Sequence, residues 1–417
     1  MNMDKQEFAV ALARGSGRAM ILLAQTAEPE KFKDELISAC VRNLAYDHQC
    51  ELERSAYLAR LIEATGRRDE IFVALASRLK ASPQDGVDIS HLFAVLARIA
   101  ASGSDPEKSI LRQAFHDFRP DDQLESMEAL IRLDGLTALL KCAELISVDL
   151  SEEGWRIASL FEALEEHAGT AAGAILLKAG SEHSEIGLLI AHRDFQLRPA
   201  ESGTDAPYDF SKIRSGLLNG KRPPGAWLRK LTEQEWQLLA ADFELQTDEA
   251  RALIYLRLFA TRRFPGPAQQ LMRWVNCSNS RVAWAAAGAL GRIRDPLVRK
   301  LALERLRGKD STGLRLLLSN YEAGDLDPIG SLLSEAVDDD EAHDLGFGIL
   351  NIVGENDVPL AEKRAVLISL YERSPCSICR GNAVSKLQSA GDVPLPIAQE
   401  CRFDADPDTA RQFSAEA

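Results

Sequence analysis

The chain has 417 residues, 46% hydrophobic and 27% charged, with 49 Lys+Arg against 63 Asp+Glu. This balance excludes a largely disordered chain, and no apolar stretch approaches the roughly 18 residues that would span a bilayer. The start, Met1-Asn2-Met3-Asp4-Lys5-Gln6-Glu7, has no basic region with an apolar run behind it, so a cytoplasmic protein with no membrane partner is expected.

In chain order, periodicity predicts helices over Glu30–Tyr46, Glu51–Ala64, Asp69–Ala81, Ile89–Ala101, Pro106–Phe118, Asp122–Leu133 and Leu136–Ile146. Further helical segments follow near Trp155–Glu166 and Glu185–Ala191. Each carries apolar residues three and four apart and ends near Gly, Pro, Asp or Ser. In Ile89–Ala101, Leu92, Phe93, Val95, Leu96 and Ile99 make one stripe. Strand-like alternation is almost absent, so the expected class is all-α. The run 198–211, from Arg198-Pro199 past Ala206-Pro207, is rich in Pro, Gly and small polar residues and reads as a linker. It separates irregular helical repeats over 1–197 from a second block over 212–417.

The sharpest local pattern lies at 279–306. Val282, Ala286, Ala289, Leu290 and Ile293 share one helix face, Asp295-Pro296 ends that helix and opens another, and Leu297, Val298, Leu301, Ala302 and Leu306 form the next stripe. The expectation is an antiparallel helical hairpin, which leaves apolar faces open and needs stacked neighbours. Through Arg281-Val282, Ala285-Ala286, Ala289-Leu290-Gly291, Ile293 and Asp295-Pro296, this stretch resembles the HEAT-repeat superfamily, particularly the short repeats of phycobilisome-lyase-like proteins. The likeness covers about one repeat. Fainter echoes follow at 363–370, at 380–387 and in the tail, where Asp406 before Pro407 reads as an N-cap. The resemblance implies an irregular α-solenoid of such hairpins, as one arc or two segments, and names no chemistry.

Charge is zoned. Residues 1–211 carry 22 Lys+Arg against 35 Asp+Glu, residues 212–308 carry 18 against 8, and residues 309–417 carry 9 against 20. Within the basic zone lie Arg257, Arg262, Arg263, Arg273, Arg281, Arg292, Arg294, Arg299 and Lys300, interleaved with Trp227, Trp236, Trp274 and Trp284. Cations that neutralise phosphates, together with an aromatic such as Trp274 for stacking, suit a nucleic-acid surface. Arginines that complement helix ends and acidic neighbours are the competing reading, and Trp284 on its small-residue helix reads as core more readily than as a platform.

No phosphate-binding glycine loop, nucleophile elbow or H-E-x-x-H is present, and no histidine is followed by Glu. The resemblance therefore does not extend to the HEAT-like deoxyhypusine hydroxylases, whose iron is held by His-Glu pairs. The catalytic Asp and Trp of the HEAT-like alkylpurine DNA glycosylases find no match either. Seven scattered cysteines, an odd number, read as reduced thiols packed as small hydrophobes. Cys376-Ser377-Ile378-Cys379 places a C-x-x-C at a predicted helix N-terminus; with Cys401, and His343 in addition, it makes a weak zinc or redox candidate. The expectation is thus a non-enzymatic scaffold, without a cofactor, that binds a protein partner on a concave face. The alternative is a nucleic-acid-binding protein, a HEAT-like DNA-repair glycosylase included, using residues 212–308.

Overall fold

The computed structural model describes residues 3–48, 51, 54–80, 87–101, 103–117, 124–146, 154–197 and 208–414. Helices account for the regular structure, and the described residues contain no strand. No helix among them is long and apolar enough to cross a membrane. The chain forms two compact units, Met1–Ala200 with Pro394–Ala417, and Glu201–Val393. Most of the predicted linker, 198–207, lies outside the described residues.

In the first unit the central element is helix Ile89–Ala101, packed on Ser55–Ala64, Arg68–Lys80 and Leu124–Asp134. Its predicted stripe is buried, and so are His91, Ala94, Ala97 and Ala100, because neighbours cover it on several sides. The helix predicted over Glu30–Tyr46 is a 3-10 turn, Pro29–Phe32, followed by Lys33–Val41. It stops there because the Asn43 side chain accepts from the Ala45 amide and the Val41 carbonyl accepts from Asp88, which gives the backbone partners outside a helix.

The tail read from the sequence as part of the C-terminal block belongs to this first unit. Helix Leu395–Cys401 packs on Arg18–Gln25, Arg18 pairs with Glu400 at 2.9 Å, and the Ala405 amide donates to the Gly15 carbonyl. Gly17 permits the approach: a Cβ there would sit 1.8 Å from the Glu400 carbonyl oxygen. The predicted cap is present, with the Asp406 carboxylate accepting from the Thr409 amide.

In the second unit, helices Ser280–Gly291 and Pro296–Arg307 begin where the sequence places them. Asn279 caps the first, and Asp295, ahead of Pro296, caps the second. Their partners differ from the expectation. Pro296–Arg307 packs chiefly on Thr312–Leu317, and Ser280–Gly291 packs chiefly on Glu249–Phe259 and Ala268–Val275 and then on Thr312–Leu317, rather than either on the other. Small residues decide this. A Cβ on Gly291 would fall 1.9 Å from the Arg315 carbonyl oxygen, and one on Gly313 would meet Leu306 and the Ala302 carbonyl. Val298, Ala302 and Leu306 are accordingly buried, whereas Leu297 of the predicted stripe is 49% exposed. Thr312–Leu317 in turn packs on Asp339–Glu355, which packs on Ser377–Ser389.

Candidate functional site

Part of the basic zone's cations are engaged within the fold. Arg262 donates to the Leu231 carbonyl, Arg273 to those of Glu244 and Gln246, Arg292 to that of Ala260, and Arg305 to that of Val275. Each reaches back 27 to 32 residues to a carbonyl at or near the end of an earlier helix or turn. The last carbonyls of a helix lack partners and carry its negative dipole end, so an arginine there supplies both donors and charge. Arg299 grips Asp325 with two hydrogen bonds, at 2.7 and 3.2 Å, and Lys300 lies 3.9 Å from Glu304.

Trp274, read as a stacking platform, is 6% exposed with the Arg273 guanidinium over its ring, so it is a core side chain. Trp227 and Trp236 are buried too. Of the candidate cations, Arg257, Arg263, Arg281, Arg294 and Lys300 are exposed. The structure therefore divides the candidate set into arginines spent on helix ends, the Arg299 clamp on Asp325, five exposed cations and a buried tryptophan.

Trp284 is the exception among these tryptophans. Contrary to the core reading, it is 48% exposed. It lies on helix Ser280–Gly291 one turn before Gly288, whose missing side chain leaves room for the Arg315 guanidinium on the Trp284 face, 3.5 Å from the ring centroid. Phe347, 50% exposed, stands on helix Asp339–Glu355 beside Gly348, where Leu314 packs close. Together these helices bound a groove of about 500 Å³, lined by Trp284, Arg315, Phe347, Arg292, His343 and Asp344 among others.

Arg315 makes no hydrogen bond to any described residue, and its Nε is buried without a partner. Burial lowers the guanidinium pKa, with the Asp344 charge acting in the opposite sense. A planar cation fixed on an aromatic face with donors unspent is a receptor for a carboxylate or similar anion. Arg315 was missed because it lies in the acidic third of the chain. The available signal was a lone cation inside the apolar run Gly313-Leu314-Arg315-Leu316-Leu317-Leu318.

A second cluster adjoins the groove through His343. Cys376 is the N-cap of helix Ser377–Ser389, with Cys379 one turn in, at the predicted helix start. His343, on helix Asp339–Glu355, brings its Nδ1 to 3.7 Å from the Cys379 Sγ. A hydrogen bond with Cys376, then burial, push the Cys379 thiol far above its usual range. Cys401, the other candidate, is buried in the first unit's tail. The chain matches no protein-family model and no curated protein.

Proposed function

We propose that the protein is a non-enzymatic, HEAT-like α-solenoid scaffold that binds a protein partner, and that the Trp284–Arg315–Phe347 groove receives an acidic segment of that partner. The observation that carries the reading is the unspent Arg315 guanidinium stacked on the half-exposed Trp284 ring. A half-buried guanidinium whose Nε has no hydrogen-bond acceptor, with Asp344 acting on it only through space, is unfavourable in the free protein, and an incoming carboxylate would relieve it. Exposed Trp284 and Phe347 offer flat apolar walls, the aromatic surface on which binding hot spots concentrate. The solenoid reading is supported by successive helix contacts in the second unit and by arginines that each reach back 27 to 32 residues to an earlier helix end. The engagement of Arg262, Arg273, Arg292 and Arg299 within the fold favours a protein partner over nucleic acid.

The test is selection from a random peptide display library on the full-length protein, alongside single-stranded RNA and duplex DNA. Peptides with Asp, Glu or a free C-terminal carboxylate next to an aromatic or aliphatic residue should be enriched, and Arg315→Met should abolish the enrichment. Tight, salt-sensitive nucleic-acid binding, with no such peptides, would replace this reading with the nucleic-acid one.

A further inference from the structure

His343, Cys376 and Cys379 each offer a ligand atom, and the three atoms lie within 4.8 Å of one another. Cys376 and Cys379 are 3% and 4% exposed. Two helices supply the donors: Ser377–Ser389 carries the C-x-x-C at its start, and Asp339–Glu355 presents the imidazole. The residues around the thiols hold their loop. Arg380, 1% exposed, donates to the Pro375 carbonyl, and the buried Ser374 hydroxyl donates to the carbonyl of Cys376. We infer that these three side chains form a zinc-binding site in the second unit.

Two sulfurs and one nitrogen are the donor set that selects zinc over the harder divalent cations. Zinc–sulfur bonds of about 2.3 Å and a zinc–nitrogen bond of about 2.0 Å place tetrahedral donor atoms roughly 3.5–3.8 Å apart. The 3.7 Å between Cys379 and His343 already has that spacing. The widest separation in the cluster needs to close by about an ångström, within reach of side-chain rotation. Binding expels one proton from each thiol, and one Zn²⁺ with two thiolates has no net charge, which suits so enclosed a place. Water or an exogenous ligand takes the fourth position, since no fourth His, Cys, Asp or Glu joins the cluster among the described residues. The alternative for a C-x-x-C at a helix start is a redox disulfide, and the metal titration and air-oxidation arms below separate the two.

The experiment uses the full-length protein, reduced, stripped of metal with a chelator and titrated with Co²⁺. One Co²⁺ per chain should bind, with thiolate-to-cobalt charge-transfer absorption and the intense visible bands of four-coordinate cobalt, and Zn²⁺ should displace it. Cys376→Ser or Cys379→Ser should remove most of the charge-transfer intensity, and His343→Gln should keep a thiolate band while weakening binding about tenfold or more. Independently of any variant, Zn²⁺ should slow alkylation of Cys376 and Cys379 in the unmodified protein, mapped by peptide mass. No thiolate band in the unmodified protein overturns the site, as does a band that survives in the folded double cysteine variant. Unchanged alkylation, or a Cys376–Cys379 disulfide that re-forms in air and ignores metal, overturns it too.

Discussion

The Arg315 guanidinium lies 3.5 Å from the centre of the Trp284 ring and has no hydrogen-bond partner among the described residues, whereas Arg299, sixteen positions earlier, holds Asp325 with two hydrogen bonds. The two arginines therefore respond to truncation in opposite ways. Arg315→Met, which keeps an apolar side chain over Trp284, should leave unfolding stability unchanged or raise it by up to about 1 kcal/mol. Arg299→Ala should lower it by about 1–3 kcal/mol, because Asp325, 7% exposed, loses its clamp. Urea unfolding of the two variants checks both signs.

Glycines at helix contacts are a second place where sign is informative. Gly291→Ala puts a methyl 1.9 Å from the Arg315 carbonyl oxygen, so helix Ser280–Gly291 has to withdraw from Thr312–Leu317 and the groove with it. A loss of about 2 kcal/mol or more is expected. Gly330→Ala, inside helix Asp327–Glu335 with nothing within 4 Å of the new methyl, should instead gain about 0.4–1 kcal/mol. Thermal melts of the pair suffice.

Much of this was legible in the sequence. Asp295-Pro296 and Asp406-Pro407 announce helix starts because capping is local chemistry, and the stripe in Ile89–Ala101 is buried as its periodicity predicts. The partner of each helix was not legible. A stripe says that a face is buried without saying what buries it, so Pro296–Arg307 was matched to its sequence neighbour although Gly313 brings it onto Thr312–Leu317. Buried charge escaped for the same reason. Glu362, 8% exposed, accepts from Tyr321 and from the amides of Gly324 and Leu326, partners that are 36 to 41 residues away. In the basic zone, too, summed charge does not distinguish a guanidinium facing solvent from one spent on a helix end. Local signals did place Cys376 and Cys379 at a helix start, but only the fold brings His343 to them.

Asn320 ties a turn to the helices beside it. Its side chain accepts from the Asp295 amide and donates to the carbonyls of Ile293 and Leu316, and the residue is 5% exposed. Asn320→Ala should cost about 2–3 kcal/mol by leaving buried backbone groups unpaired, and Asn320→Asp should fail to rescue it because a carboxylate cannot donate. Equilibrium unfolding of the two variants tests the assignment.

His91 gives the first unit a pH dependence. It is 1% exposed, its Nε2 donates to the Ala39 carbonyl, and its pKa is lowered below the ordinary 6.5. Burial is the main cause; the Ala39 hydrogen bond and Asp88 oppose it, and Arg54 and His48 reinforce it. The unfolded chain then binds a proton at higher pH than the folded one. His91's contribution is complete above pH 6.5 and is lost as pH falls through its folded pKa. The urea midpoint of the unmodified protein should drop between about pH 7.5 and pH 5.5 by more than that of His91→Gln. Equal drops would show that His91 carries none of it.

The most direct test of the groove is a double-mutant cycle by titration calorimetry. A peptide enriched in the display selection and its Glu→Gln or Asp→Asn counterpart are each titrated into the unmodified protein and into Arg315→Met. Either change alone should weaken binding about tenfold or more, and the second should add little once the first is made, because both remove one contact. Independent, additive losses, or full affinity in Arg315→Met, would show that the carboxylate is received elsewhere and would contradict the groove's assignment.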